Sequence, residues 1–194
     1  MKSLITVILL LSGTSCRAQQ KDMFAMDIEK NIFRASFTLI APDDEGLPFL
    51  FSYEREIRKP FTLVISAGPS FRGLGAGSSG YVIHGFASAE LRYYFNLMRR
   101  IKKEKTVRNF SATYLSIQES LLSGPIALVN VLSVTAAKGK ARTFLNLGIQ
   151  KQFKQKFLNL YLGPGLHFND LDKGEWVLID DFHVGFTLGF VLFE

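Results

Sequence analysis

The sequence predicts an all-β protein, an eight-stranded antiparallel up-and-down transmembrane β-barrel. Three observations lead to this fold class. Beyond the N-terminus, no apolar run approaches the roughly 20 residues that a membrane-spanning helix needs. Segments of about 10 residues with alternating apolar and polar side chains are separated by turn residues. The last segment, 179–194, has large apolar side chains on one face and mostly small or polar ones on the other, which is typical of a strand between lipid and a narrow polar lumen.

The N-terminus predicts an exported protein. Lys2 precedes a short apolar run at residues 4–11, and small and polar residues lead to Ala18. This order is typical of a secretory signal peptide, so we predict that residues 1–18 are removed. Residues 19–30 are mixed and polar, and they are expected to form a periplasmic lead-in to a barrel that spans residues 31–194.

Cys16 leaves an alternative open, because a cysteine at the end of a signal peptide can be lipidated. A lipoprotein signal usually carries Leu three residues before the cysteine, and this chain has Gly13 there. Cleavage after Ala18 is therefore favoured. In that case the mature chain contains no cysteine, which excludes disulfides, thiol chemistry and thiolate metal sites.

The first four strands are predicted where large apolar residues alternate with polar ones. In the first of them, Phe33 and Phe37 share one face and Arg34 lies on the other. Turn residues separate the strands, and the stretch 73–80 is rich in Gly and Ser. The predicted bounds are 32–41, 47–57, 61–72 and 81–96.

The other four strands follow a basic connection at residues 97–109. Leucines and isoleucines alternate with small and polar residues in each of them. The segment 122–140 either extends the fifth strand or forms a loop. An even number of strands returns the C-terminus to the side of the N-terminus, with the short turns at the periplasmic end. The predicted bounds are 110–121, 141–153, 156–168 and 179–194.

Four charged residues fall on the predicted lumen face: Arg34, Glu54, Glu90 and Arg92. An eight-stranded barrel has an interior that side chains just fill, so charges there need partners. We expect Glu54 or Glu90 to pair with Arg34 or Arg92 in a structural network that plugs the lumen. A gated pore or a proton path is the functional alternative.

The histidines do not predict a metal site or a cofactor. His84, His167 and His183 fall on inward faces, but no HxH or HExxH spacing is present. A lipid-modifying enzyme could use His167 or His183 with Asp181 and a serine. The serines are scattered, however, so the spacing selects no triad and we predict no catalytic residue.

The densest positive charge follows the fourth strand, in the run Arg99-Arg100-Ile101-Lys102-Lys103-Glu104-Lys105. Such runs bind nucleic acid or anionic lipid. The exported compartment argues against nucleic acid, so a solvated periplasmic turn near lipid phosphates is expected. The stretch 73–80 lacks the Lys-Ser/Thr ending of a phosphate-binding loop.

Aromatic residues near the ends of predicted strands share the face of the leucines. This placement suits the interfacial girdles of membrane barrels. The candidates are Tyr53, Tyr93, Phe95 and Phe168.

The segments FSYEREI (51–57) and AELRYYFNL (89–97) and the alternating aromatic C-terminus resemble small outer-membrane β-barrel proteins with an OmpX/OmpA-like barrel, of the type common in Bacteroidetes. The resemblance covers the chain from about residue 31 to its end. It implies the barrel and the outer-membrane location, and it implies no activity.

The expected function is therefore non-enzymatic. The predicted protein is a monomeric outer-membrane barrel with a plugged polar lumen, whose partners are outer-membrane lipid and an extracellular ligand or surface partner of its loops. Two alternatives stay open: a barrel-embedded lipid-modifying enzyme, and a soluble exported carrier similar to a lipocalin. In the carrier the leucines would surround a ligand inside the barrel.

Overall fold

The chain folds as a closed all-β barrel. The structure is a computed structural model and describes residues 30–41, 46–73, 80–103, 107, 110–129, 139–170, 175–177 and 182–193. Its strands are β1 Asn31–Ala41, β2 Leu47–Arg58, β3 Phe61–Gly73, β4 Tyr81–Tyr93, β5 Thr113–Val129, β6 Lys140–Phe153, β7 Lys156–Asp170, β8 Glu175–Val177 and β9 Phe182–Phe193.

Eight of these strands close the barrel, and every neighbouring pair is antiparallel. The order runs from β6 through β1 to β9 and β7, and β7 then pairs with β6. The short strand β8 pairs with the last residues of β7 and lies outside the closed ring. The predicted all-β antiparallel barrel of eight strands is confirmed. Closure leaves the ring without an unpaired edge.

The two faces of the strands are those that the alternation predicts. Large apolar side chains point away from the axis and are exposed on every barrel strand. Inward positions are mostly buried, and they carry polar, charged, glycine and aromatic residues together with some aliphatic ones, such as Leu50, Val64 and Leu122. One exposed residue from each barrel strand represents the outward face: Phe37, Phe51, Ile65, Leu91, Ile117, Leu147, Leu160 and Leu188.

The barrel has two different ends. At the turn end, residues 59–60 and 154–155 connect strands tightly, and the longer segment 94–112 joins β4 to β5. The loop end is the opposite end, where residues 42–46, 74–80, 130–139 and 171–181 connect the strands. β1 begins and β9 ends at the turn end.

Two predicted strand limits beside the segment 94–112 are wrong. β4 ends at Tyr93, and not at 96, because the following Tyr94 and Leu97 turn under the barrel and are fully buried. The basic connection at 97–109 contains a short helix, α1 Leu97–Lys102, and is not simply a solvated turn. β5 begins at Thr113, and not at 110, because Phe110 adopts a left-handed backbone conformation with φ 61°.

The first part of the uncertain segment 122–140, up to Val129, extends the fifth strand, and residues 130–138 lie outside the described residues. β5 continues to Val129, where it pairs with Tyr81 at the start of β4. The register shifts near His84, which lets the longer strand bend along its neighbour. Strands β4 and β5 therefore remain paired over the full length of β4.

The predicted signal peptide at 1–18, the residue Cys16 and most of the lead-in at 19–30 lie outside the described residues. The start of the last predicted strand, 179–181, also lies outside them. Among the residues that the structure describes, no helix has the length and the apolar character needed to cross a bilayer.

Candidate functional site

The centre of the lumen at the turn end is the carboxylate of Glu54, whose side chain is 0% exposed. It accepts hydrogen bonds from Arg34 Nη1 at 2.5 Å, Thr62 Oγ1 at 2.8 Å, Tyr94 Oη at 2.7 Å and Gln150 Nε2 at 3.3 Å. A carboxylate has about four acceptor positions, so these donors occupy its full capacity. Glu54 is thereby held as an ionised carboxylate at a fixed position.

The other predicted lumen charges surround this carboxylate. Arg92 Nη2 donates to Glu90 Oε2 at 2.5 Å, and Arg92 Nη1 donates to Gln150 Oε1 at 2.7 Å. The distance from Arg92 Nη1 to Glu54 Oε2 is 3.9 Å. The structure thus brings Arg34, Glu54, Glu90 and Arg92 together, and the two positive and two negative charges balance. Balanced, hydrogen-bonded charges are the form in which buried ions are tolerated.

Both arginines also lie against aromatic rings. The guanidinium carbon of Arg34 is 5.0 Å from the ring centroid of Phe157, and that of Arg92 is 4.5 Å from the ring centroid of Tyr114. These distances are typical of cation–π contacts, which are strengthened where water is excluded. Each guanidinium therefore has an aromatic contact in addition to its ion pair.

Large aromatic residues of the lumen face glycines on neighbouring strands. Tyr114, Gly148, Tyr161 and Gly185 follow one another across β5, β6, β7 and β9. A β-carbon at Gly148 would overlap the ring of Tyr114, and one at Gly185 would overlap the ring of Tyr161. The alternation of large and small side chains lets the rings lie flat across the lumen and fill it.

An apolar seal closes the turn end below the ion pairs. The ring of Tyr94 stacks on that of Phe110 with centroids 5.4 Å apart, and the edge of Tyr114 meets Tyr94 at 5.4 Å. The left-handed backbone of Phe110 costs roughly 1 kcal/mol and turns its ring under the barrel. The members of this seal are Ile32, Tyr94, Leu97, Val107, Phe110, Ala112, Tyr114 and Val191.

The lumen between the ion pairs and the loop end holds a cavity that is smaller than a ligand pocket. Thr38 and Thr187 hydroxyls lie 3.1 Å apart, and Ser66 donates to Ser52 at 2.9 Å. A cavity of ≈ 50 Å³ remains between these hydroxyls and the ion pairs. This volume suits a few water molecules, and it is far below the roughly 300 Å³ or more of small-molecule pockets.

Two of the histidines, His84 and His183, line the lumen towards the loop end. His84 Nδ1 lies 3.0 Å from the carbonyl oxygen of Ser123. The ring of His183 packs on Phe144 with centroids 4.0 Å apart. The side chain of His167 and the residue Asp181 lie outside the described part of the chain. The distances between the members of a lipid-modifying triad are therefore not described. Within the described residues, no group of three or more His, Cys, Asp or Glu could hold a metal ion.

Aromatic residues ring the outer surface at the turn end. Phe33 and Tyr53 lie 4.6 Å apart, and Phe61 and Tyr93 lie 4.9 Å apart. Phe95, which was predicted for a girdle with Tyr53 and Tyr93, is also exposed. The side chain of the fourth candidate, Phe168, lies outside the described set.

Several members of the lumen site were not assigned from the sequence. Thr62, Tyr94 and Gln150 are not among the residues that the sequence analysis singled out. Their position in the alternation could have identified them, because all three fall on the inward face near the turn end, as Glu54 does.

No family model, curated protein or solved structure matches this chain. The fold and the site therefore rest on the residues of the chain itself. The resemblance to OmpX/OmpA-like barrels stays an expectation.

Proposed function

We propose that the protein is a non-enzymatic outer-membrane β-barrel with a plugged lumen, which acts through the loops at its loop end in a structural, adhesive or binding role. The observation that carries this proposal is the belt of exposed Leu, Ile and Phe side chains around the whole barrel. Soluble monomers seldom expose an apolar surface of this extent, whereas lipid requires it. The predicted signal peptide supports export to the outer membrane.

The lumen supports a role other than transport. Ion pairs, stacked aromatic rings and the apolar seal occupy the turn-end half, and the remaining cavity suits water alone. A lipocalin-like carrier needs an apolar cavity for its ligand, and here most of the leucines on the barrel strands are exposed on the outside. The geometry therefore favours the membrane barrel over the soluble carrier.

A charge placed at mid-height on the outer face tests the membrane location. Leu147 lies near the middle of β6 and is 44% exposed. In a bilayer, Leu147→Arg is expected to lower the free energy of unfolding by about 2–4 kcal/mol, because an arginine at the midplane is costly. The measurement is urea unfolding of the barrel in phosphatidylcholine vesicles, followed by the difference in gel migration between unheated and heated samples.

The matched control is Ile57→Arg, at the turn-end rim of the same outer face, where Ile57 is 60% exposed. Near the interface the cost of arginine is about 0–1 kcal/mol. A soluble barrel would tolerate both changes equally. Equal stability of the two variants, or a barrel that stays soluble without detergent and does not insert into vesicles, would contradict the proposal.

The plug predicts the electrical behaviour of the barrel. Purified protein inserted into a planar bilayer is expected to show no stepwise conductance, because the seal and the ion pairs occupy the lumen at the turn end. An open porin recorded in the same bilayer serves as the control for insertion and sensitivity. Stable single-channel steps from the wild-type barrel would contradict the plugged lumen and leave the membrane location standing.

A further inference from the structure

Exposed positive charge is concentrated on the outer surface at the turn end, farther from the middle of the barrel than the girdle of aromatic residues. Its members come from three parts of the chain: the end of β2, helix α1, and the ends of β6 and β7 on either side of their turn. We define the basic collar by six exposed residues: Arg55, Arg58, Arg99, Lys102, Lys151 and Lys156.

The collar adjoins the apolar belt directly. Arg55 lies on the outward face of β2, between Tyr53 and the exposed Ile57. Lys151 occupies the equivalent place on β6, and its Nζ lies 4.7 Å from the ring centroid of Phe153. A lysine or arginine beside apolar surface covers that surface with its stem and extends its charge towards the polar side. The charges are thus placed at the edge of the region that lipid tails would cover.

The charge at this end is strongly one-sided. Apart from the ion-paired Glu54 and Glu90, Glu56 is the one acidic residue among those described at the turn end. The described basic residues at the loop end are fewer: Arg72, Lys140 and Arg142. Like charges around one rim repel each other. A negatively charged layer beside this rim would offset the repulsion.

We propose that the basic collar binds the phosphate groups of anionic glycerophospholipids in the leaflet at the turn end. The inference rests on the proposed membrane location. In a bilayer, the girdle of aromatic residues at the turn end marks the level of the lipid headgroups. The lipid phosphates lie at that level and just beyond it. Each lysine or arginine at an anionic surface strengthens binding by roughly fivefold. The collar fixes the height of the barrel in the membrane and selects lipids by headgroup charge.

The experiment compares two headgroups around the folded barrel. Spin-labelled phosphatidylglycerol or phosphatidylcholine is added to phosphatidylcholine vesicles that contain the protein, and electron paramagnetic resonance gives the fraction of motionally restricted label. The wild-type barrel is expected to prefer phosphatidylglycerol by roughly twofold to threefold, averaged over all lipid contacts. The double variant Arg55→Gln/Lys151→Gln, which keeps four of the six collar charges, is expected to lower the ratio towards one, and 0.5 M NaCl is expected to bring it close to one, because salt screens exposed charges.

The matched control is Arg72→Gln/Lys140→Gln, which removes two charges at the loop end and is expected to leave the preference in place. Equal restriction of the two lipids by the wild-type barrel, or an equal loss of preference in the control variant, would overturn the collar. An undiminished preference in the collar variant would overturn it as well. If neither lipid is restricted, the barrel is not in the bilayer, and the membrane proposal falls together with the collar.

Discussion

Glu54→Gln is expected to lower the free energy of unfolding by about 3–5 kcal/mol, because it leaves buried positive charge without its partner. Glu54 is fully buried and ion-paired with Arg34 at 2.5 Å, with Arg92 at 3.9 Å. The amide keeps one acceptor, but it removes the charge that balances Arg34 and turns a donor group towards donors. The measurement is the urea midpoint of the barrel in lipid vesicles, followed by circular dichroism and by gel migration.

Two further variants separate the loss of the ion pair from the loss of any carboxylate. Glu56→Gln changes a partly exposed carboxylate two residues away and is expected to alter stability by less than about 0.5 kcal/mol. The double change Arg34→Met/Glu54→Leu removes the pair together and is expected to cost less than Glu54→Gln, since apolar replacement of a whole buried pair is often neutral. A double variant less stable than Glu54→Gln would contradict the role assigned to the ion pair.

The alternation of side chains predicted which residues line the lumen because it is a local property. A period of two residues fixes the face of every position once the lipid side is known. Phe37 and Leu147 therefore lie outward as expected, and Arg34 and Glu54 lie inward. The two tight turns could also be predicted from nearby residues alone. Pro60 marks the turn at 59–60, and the short gap between two alternating segments marks the turn at 154–155.

The partners inside the lumen could not be predicted in the same way. Glu54 and Gln150 are 96 residues apart, and their contact depends on the register of all the strands between them. The seal was also hidden, because Leu97, Val107 and Phe110 are separated by charged residues without strand or helix periodicity. A segment of this composition resembles a solvated turn. Only when the barrel closes does its turn end offer the apolar surface that these three side chains cover.

The glycines opposite the lumen aromatics are the second place where a small change is expected to have a large effect. Gly148→Val is expected to lower the free energy of unfolding by about 3 kcal/mol through overpacking and a lost hydrogen bond. The ring of Tyr114 occupies the space of the missing side chain. It cannot move aside freely, since Tyr114 is fully buried, its hydroxyl donates to Asn159 at 3.0 Å, and Arg92 stacks on it at 4.5 Å.

Gly73→Val is the matched control, because a β-carbon at Gly73 meets nothing within 4 Å, and valine suits a strand. It is expected to change stability by less than about 0.5 kcal/mol. In the Gly148→Val background, Tyr114→Ala removes the ring with which the valine collides. The combined loss is then expected to be smaller than the sum of the two single losses by about 2 kcal/mol, as expected for residues in direct contact. Additive losses would mean that Gly148 is needed for its backbone and not for the ring of Tyr114, and the alternation of large and small residues would then not explain how this lumen is filled.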